Sequence, residues 1–189
     1  MPEPIIIGLT GFARAGKNHV ADLLQSYLQL NHDVTAPTAA FADPIKSITH
    51  ELFPRLSKDK TDIKVREKYQ KIGSTLRHYI SPHVFVQAMQ EYILSQEYPY
   101  FHIITDVRFM NEIQWILQGN DLNHIIHVTR PGIQPVNMHI SELEHTQIKL
   151  PTGRYYNDRI HHYNNADDAD PIPLFNEITD HIFKNKDKQ

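Results

Sequence analysis

This sequence predicts an α/β fold, a parallel sheet covered by helices, on three observations. Short apolar and β-branched runs alternate along the chain with stretches of helical periodicity. The first run feeds a glycine-bracketed loop, Gly11-Phe12-Ala13-Arg14-Ala15-Gly16-Lys17, that opens directly into a helical segment. Of 189 residues, 40% are hydrophobic and 22% charged, which supplies one core without the polarity of a disordered chain.

Each element follows from local pattern. Ile5-Ile6-Ile7 mark a first strand over 4–9, and Val20, Ala21, Leu23 and Leu24 a helix over 16–30. A turn at Asn31-His32-Asp33 leads to a second extended segment over 34–41. Asp43-Pro44 predicts a helix start, with Asp43 as cap and Pro44 at the first helical position. Ile45, Ile48 and Leu52 then recur at helical spacing. Residues 56–64 are charged and read as a surface connection; helices follow over 65–79 and 82–96, broken near Ser81-Pro82. Phe101-His102-Ile103-Ile104-Thr105 is the next buried strand, 111–118 a helix and 124–129 another strand. Over 131–151 the periodicity fades among prolines and a glycine, the pattern of a mobile excursion. A last strand over 159–163, a helix over 173–183 and a polar tail over 184–189 complete the chain, with no internal repeat.

Composition excludes several function classes. A net charge of -3 with no basic stripe argues against nucleic acid as partner. The absence of cysteine removes disulfides, thiol catalysis and Cys-ligated zinc, and suits a reducing cytoplasm. No apolar run reaches the length of a membrane helix and the first residues run straight into strand, so no membrane partner and a cytoplasmic setting are expected. The 13 histidines are scattered, with only His139 and His145 near other polar residues, and no structural metal is expected.

The glycine-bracketed loop carries the chemistry. Gly11 and Gly16 can turn backbone N–H groups inward around a phosphate chain, and the helix behind them aims its positive end at the same place. Lys17 adds a full charge near the β- and γ-phosphates, so a nucleoside triphosphate is the expected ligand of residues 11–19. After the lysine the pattern has Ser or Thr to bind Mg²⁺; here Asn18 and His19 follow. Asn18 can offer a carbonyl oxygen or hold a metal-bound water.

Ligands of open parallel sheets bind beyond the carboxyl ends of the strands. Asp106 stands there after an apolar run, as a magnesium-coordinating acid would, although Asp at such a place also serves as a helix N-cap. Arg14, Arg77, Arg108 and Arg130 are candidate clamps, because the guanidinium fork grips two phosphate oxygens at once. For each one singly, a solvated surface charge is the competing reading.

Together, Gly11–Lys17, Phe41-Ala-Asp-Pro-Ile-Lys46, Lys71-Ile-Gly-Ser-Thr-Leu-Arg77, Thr105-Asp-Val-Arg-Phe-Met-Asn-Glu112, His139-Ile-Ser-Glu142 and Tyr163-Asn164-Asn165 resemble the bacteriophage deoxynucleoside monophosphate kinases, a branch of the P-loop nucleoside and nucleotide kinases. The likeness spans nearly the whole chain. It implies one three-layer P-loop kinase domain over 1–189, with a parallel sheet, a helical monophosphate-binding region over about 43–97 and a lid over about 131–151. It implies transfer of the γ-phosphate of ATP, with Mg²⁺, to a deoxynucleoside monophosphate, giving the diphosphate and ADP.

By position, residues 11–19 would bind ATP. Asp43, Lys46, Arg77 and Glu142 would serve the acceptor. Lys17, Arg14, Asp106, Arg108 and Arg130 would act at the reacting phosphates, with Asn18 and Asp106 toward Mg²⁺. Glu112 would brace the turn after Asp106, and Arg130 would sit at the lid hinge. A homodimer and, for a phage-encoded chain, a host cytoplasm are further implications. Two departures stand out: Asn18-His19 replaces the usual Asp-Thr, and Met110 replaces the usual proline. Two alternatives remain: a P-loop kinase of another small acceptor (dephosphocoenzyme A-like or a metabolite), or a nucleotide-binding regulator without turnover.

Overall fold

A computed structural model of the chain describes residues 3–59, 62–96, 100–134, 156 and 158–185. The strands are β1 (Ile5–Thr10), β2 (Thr38–Ala39), β3 (Phe101–Val107), β4 (His124–Thr129) and β5 (Ile160–Asn164). Among the described residues the helices are α1 (Lys17–His32), α2 (Asp43–Leu52), α3 (Ile63–Tyr79), α4 (Val84–Ser95), α5 (Met110–Gly119) and α6 (Ile172–Asn185). The chain divides into two units, one of Met1–Ala39 with Gln96–Gln189 and one of Ala40–Ser95.

The first unit holds the sheet. Its order is β2-β3-β1-β4-β5, and every pairing is parallel. β1 is buried along its whole length, as a central strand covered on both faces requires. On one face Ile5, Ile7, Leu9, Ile103, Ile126 and Val128 pack with Val20, Leu24 and Leu28 of α1 and Phe175, Ile178 and Ile182 of α6. On the other face α5 lies close over Gly8, where an added Cβ would stand 2.8 Å from both Ile116 and Ile125. The α/β class expected from alternation is therefore the one observed, in three layers.

Polar groups fix α5 to the sheet. Ile6 N–H donates to Asn123 Oδ1 at 2.7 Å, and Asn123 Nδ2 donates to Ile116 O at 2.7 Å. The buried Arg159 guanidinium donates to Leu117 O at 3.0 Å and Asn120 O at 3.1 Å, so a cation satisfies carbonyls at the helix end that attracts cations.

Two expectations are corrected. The extended segment over 34–41 contributes only Thr38 and Ala39 to the sheet. Val34 N–H is taken by Leu28 O at the end of α1, and Ala36 O by the Gln25 amide, so these groups are not offered to a ladder. Asp43 is not the cap of α2: Ala42 holds that position, and the Asp43 carboxylate accepts Ala40 N–H from within the first turn, beside Pro44.

The second unit packs α2, α3 and α4. Gly73 of α3 allows close approach: a Cβ there would meet Ile45 of α2 at 2.9 Å. Asp62 caps α3, its carboxylate accepting Lys64 N–H at 2.9 Å.

Candidate active site

The loop between β1 and α1 takes an unusual backbone path. Gly11 has φ +134°, Arg14 φ +70° and Gly16 φ +93°, three residues in the region that favours glycine. Gly11 also has no room for a side chain, since a Cβ would stand 2.1 Å from Val128 O. Gly16 is the N-cap of α1 and supplies no side-chain cap, and no acid stands in the first turn. Neither a side-chain cap nor a carboxylate of that turn therefore competes with an anion for the positive end of α1. Lys17 is buried, its ammonium donating to Gly11 O and Phe12 O at 2.8 Å each. Phe12 and Ala13 are half-buried, Ala15 is buried, and Arg14, Asn18 and His19 are exposed.

Neighbouring strands support this loop through residues the sequence did not mark. Asn165, read there only as part of the closing strand-and-turn pattern, donates its side-chain amide to Ala15 O at 3.0 Å. Its own N–H donates to Thr129 O at 2.7 Å. His127 of β4 pairs in register with Thr10, the last residue before the loop, and its ring lies 5.4 Å from that of His162. Burial pushes the His127 pKa down, and His162 and Lys17 push it further. A neutral ring beside the loop is the result at neutral pH. No local spacing signals either residue; only strand pairing brings them to the loop.

Asp106 lies inside β3 rather than after it, and Phe109, not Asp106, is the N-cap of α5. Between the paired positions Gly8↔Ile104 and Thr10↔Val107 the register shifts, leaving Thr105 and Asp106 at a bulge. Such irregularities re-aim side chains at strand ends. Glu112 is buried and its Oε2 accepts Arg108 N–H at 2.8 Å and Phe109 N–H at 3.1 Å, which braces the turn bearing Arg108. Arg130 follows β4, and its Nη2 donates to Asp167 Oδ1 at 2.9 Å.

The remaining candidates belong to the helical unit. Lys46 and Asp43 form an ion pair on the first turn of α2. The Arg77 guanidinium lies over the Phe85 ring, 4.5 Å from its centroid, and its Nη1 is 3.4 Å from where a Gly73 Cβ would be. Ile45 meets that same point, so Arg77 is brought beside the α2 turn that carries Asp43 and Lys46. Glu142, His139, His145 and the expected lid beyond Gln134 lie outside the described residues. Among the described residues, no group of three or more His, Asp or Glu side chains is arranged to hold a metal ion.

No protein-family model and no curated protein matches this sequence. Solved structures with a similar chain path include TT1252 from Thermus thermophilus, with a TM-score of 0.47 and 16% identity over 97% of this chain and 98% of that one. Kti12 of Chaetomium thermophilum, solved with ADP-AlF3, gives a TM-score of 0.46 and 13% identity over 95% and 97%. Thymidylate kinase from Ehrlichia chaffeensis gives a TM-score of 0.40 and 13% identity over 97% and 100%. These likenesses concern the fold alone. This chain's own strand order shows a five-stranded parallel α/β fold, in which a glycine-bracketed loop with three positive-φ residues joins β1 to α1.

Proposed function

We propose that the chain is an ATP-dependent phosphotransferase whose acceptor is a deoxynucleoside monophosphate. The Gly11–Lys17 loop carries the nucleotide half of this reading. Three left-handed residues, a helix start with neither side-chain cap nor first-turn acid, and a buried lysine on one loop suit a polyphosphate better than any neutral ligand. The acceptor half is supported by the resemblance of Phe41–Lys46, Lys71–Arg77 and Thr105–Glu112 to deoxynucleoside monophosphate kinases.

In this reading an acceptor phosphate oxygen attacks the γ-phosphorus in line as the bond to the β-phosphate oxygen breaks, leaving ADP. Lys17 exchanges its loop carbonyls for phosphate oxygens. Arg14, Arg108 and Arg130 supply positive charge around the transferring group, and Asp43, Lys46, Arg77 and Glu142 hold the acceptor. The Asp106 carboxylate and the Asn18 amide oxygen are hard oxygen donors that fit Mg²⁺. When bound, that ion would offset charge on the phosphates.

The test is chromatography of products from Mg-ATP with panels of dNMPs, NMPs and non-nucleotide acceptors. Diphosphate formation from a dNMP, with matching ADP, is expected. Transfer only to another acceptor class would replace the substrate and keep the enzyme. Asn18-His19 favours one second reading, a nucleotide-binding protein without turnover; ATP binding with no product from any acceptor would establish it.

A further inference from the structure

We propose that Asn165 is a positioning residue of the phosphate loop: by holding the Ala15 carbonyl it aims the Gly16 N–H at the nucleotide's phosphates. This rests on the nucleotide reading of the loop and adds a residue from the far end of the chain to it.

The Ala15 carbonyl and the Gly16 N–H belong to one planar peptide group. In a trans peptide the two point in opposite directions. A hydrogen bond that fixes the oxygen therefore fixes the N–H on the opposite side. Asn165 Nδ2 makes that bond at 3.0 Å. Ala15 N–H donates to Phe12 O at 3.3 Å and Val20 N–H to Gly16 O at 3.0 Å, but these fix the peptides on either side, and glycine at φ +93° resists few orientations of the one between.

Asn165 is itself well anchored. Its N–H donates to Thr129 O at the end of β4 at 2.7 Å, and Ala166 N–H folds back to Asn164 O at 2.9 Å. Tyr163 Oη donates to Ala169 O at 3.0 Å, tying the connection between β5 and α6 to the strand. The amide thus transmits the position of the sheet to the loop. The fit is also close: a Cβ on Gly16 would stand 2.1 Å from Asn165 Nδ2. A side chain at position 16 would displace the Asn165 amide, and the φ of +93° there also favours glycine.

The chemistry demands an amide. Aspartate has the same shape but presents carboxylate oxygens to a carbonyl oxygen, which repels where asparagine donates. Alanine simply removes the donor.

The experiment compares Mg-ADP and inorganic tripolyphosphate binding by calorimetry to the full chain and to Asn165→Ala and Asn165→Asp, well below each melting temperature. Both variants are expected to bind both ligands about tenfold or more weakly, with Asn165→Asp no better than Asn165→Ala. A purely structural role would lower the melting temperature and leave affinity unchanged wherever the chain is fully folded. Unchanged affinity in both variants, with normal binding by the parent chain, overturns the role of Asn165 alone. Because the aspartate charge itself repels phosphate, Asn165→Leu, uncharged and of the same shape, answers the question if Asn165→Ala does not fold. Failure of the parent chain to bind either ligand overturns the nucleotide reading and the Asn165 role with it.

Discussion

The Lys17 ammonium is buried on the loop that would receive a polyphosphate, satisfied for now by Gly11 O and Phe12 O. Those two carbonyls are neutral acceptors, and phosphate oxygens carrying full charge are stronger ones, so an incoming anion wins the lysine. Lys17→Ala removes that charge while leaving β1 and the glycine turn in place. Phosphotransfer is expected to fall by about 10²-fold or more. Thermal melting is expected to stay within a few degrees of the parent chain, since the substitution leaves the sheet and its apolar core untouched. Turnover close to that of the parent would remove Lys17 from the reacting phosphates.

Strands β4 and β5 and helix α6 are joined by a chain of imidazoles. His124 Nδ1 lies 2.9 Å from His161 Nε2, and His124 Nε2 lies 3.1 Å from His181 Nδ1. His161 Nδ1 faces Glu177 Oε1 at 3.5 Å. All bonds are satisfied with neutral rings when each Nδ1–H donates toward the Glu177 end. An added proton would have to be buried. The pKa of His124 lies well below the usual imidazole value through burial, then His161, His181 and Arg159. That of His161 is lowered by burial and by His181 and His162, against the opposing pull of Glu177 and Asp158. The folded chain thus binds fewer protons here than the unfolded chain. The stabilising contribution is complete above the ordinary imidazole value of about 6.5 and is lost as pH falls from there through the depressed folded values. Melting temperature is expected to drop by about 3 °C or more per pH unit over that window. His124→Leu should flatten the slope; an unchanged slope would assign the acid sensitivity to other groups.

For the molecule as a whole, the proposed reaction draws on both units. The loop, Asp106, Arg108 and Arg130 belong to the sheet unit, while Asp43, Lys46 and Arg77 belong to the helical one. Removing Arg77 should therefore separate the two substrates kinetically: Arg77→Ala is expected to raise the acceptor KM about tenfold or more and leave the KM for ATP nearly unchanged. Equal effects on both would take Arg77 out of the acceptor site. By itself the sequence determined the α/β class, the place of β1, α1, α5 and β4, and the loop from Gly11 to Lys17. Those features are written in local periodicity and in glycine spacing, which act between near neighbours along the chain. It also offered Glu112, whose carboxylate binds the Arg108 and Phe109 N–H groups only a turn away. Only the tertiary structure decided the strand order, the bulge at Thr105-Asp106, the pairing of His127 with Thr10 and the bond from Asn165 to Ala15. These join residues up to 150 positions apart. No sequence window contains both partners, and parallel pairing, which separates neighbours by whole crossovers, is the physical reason.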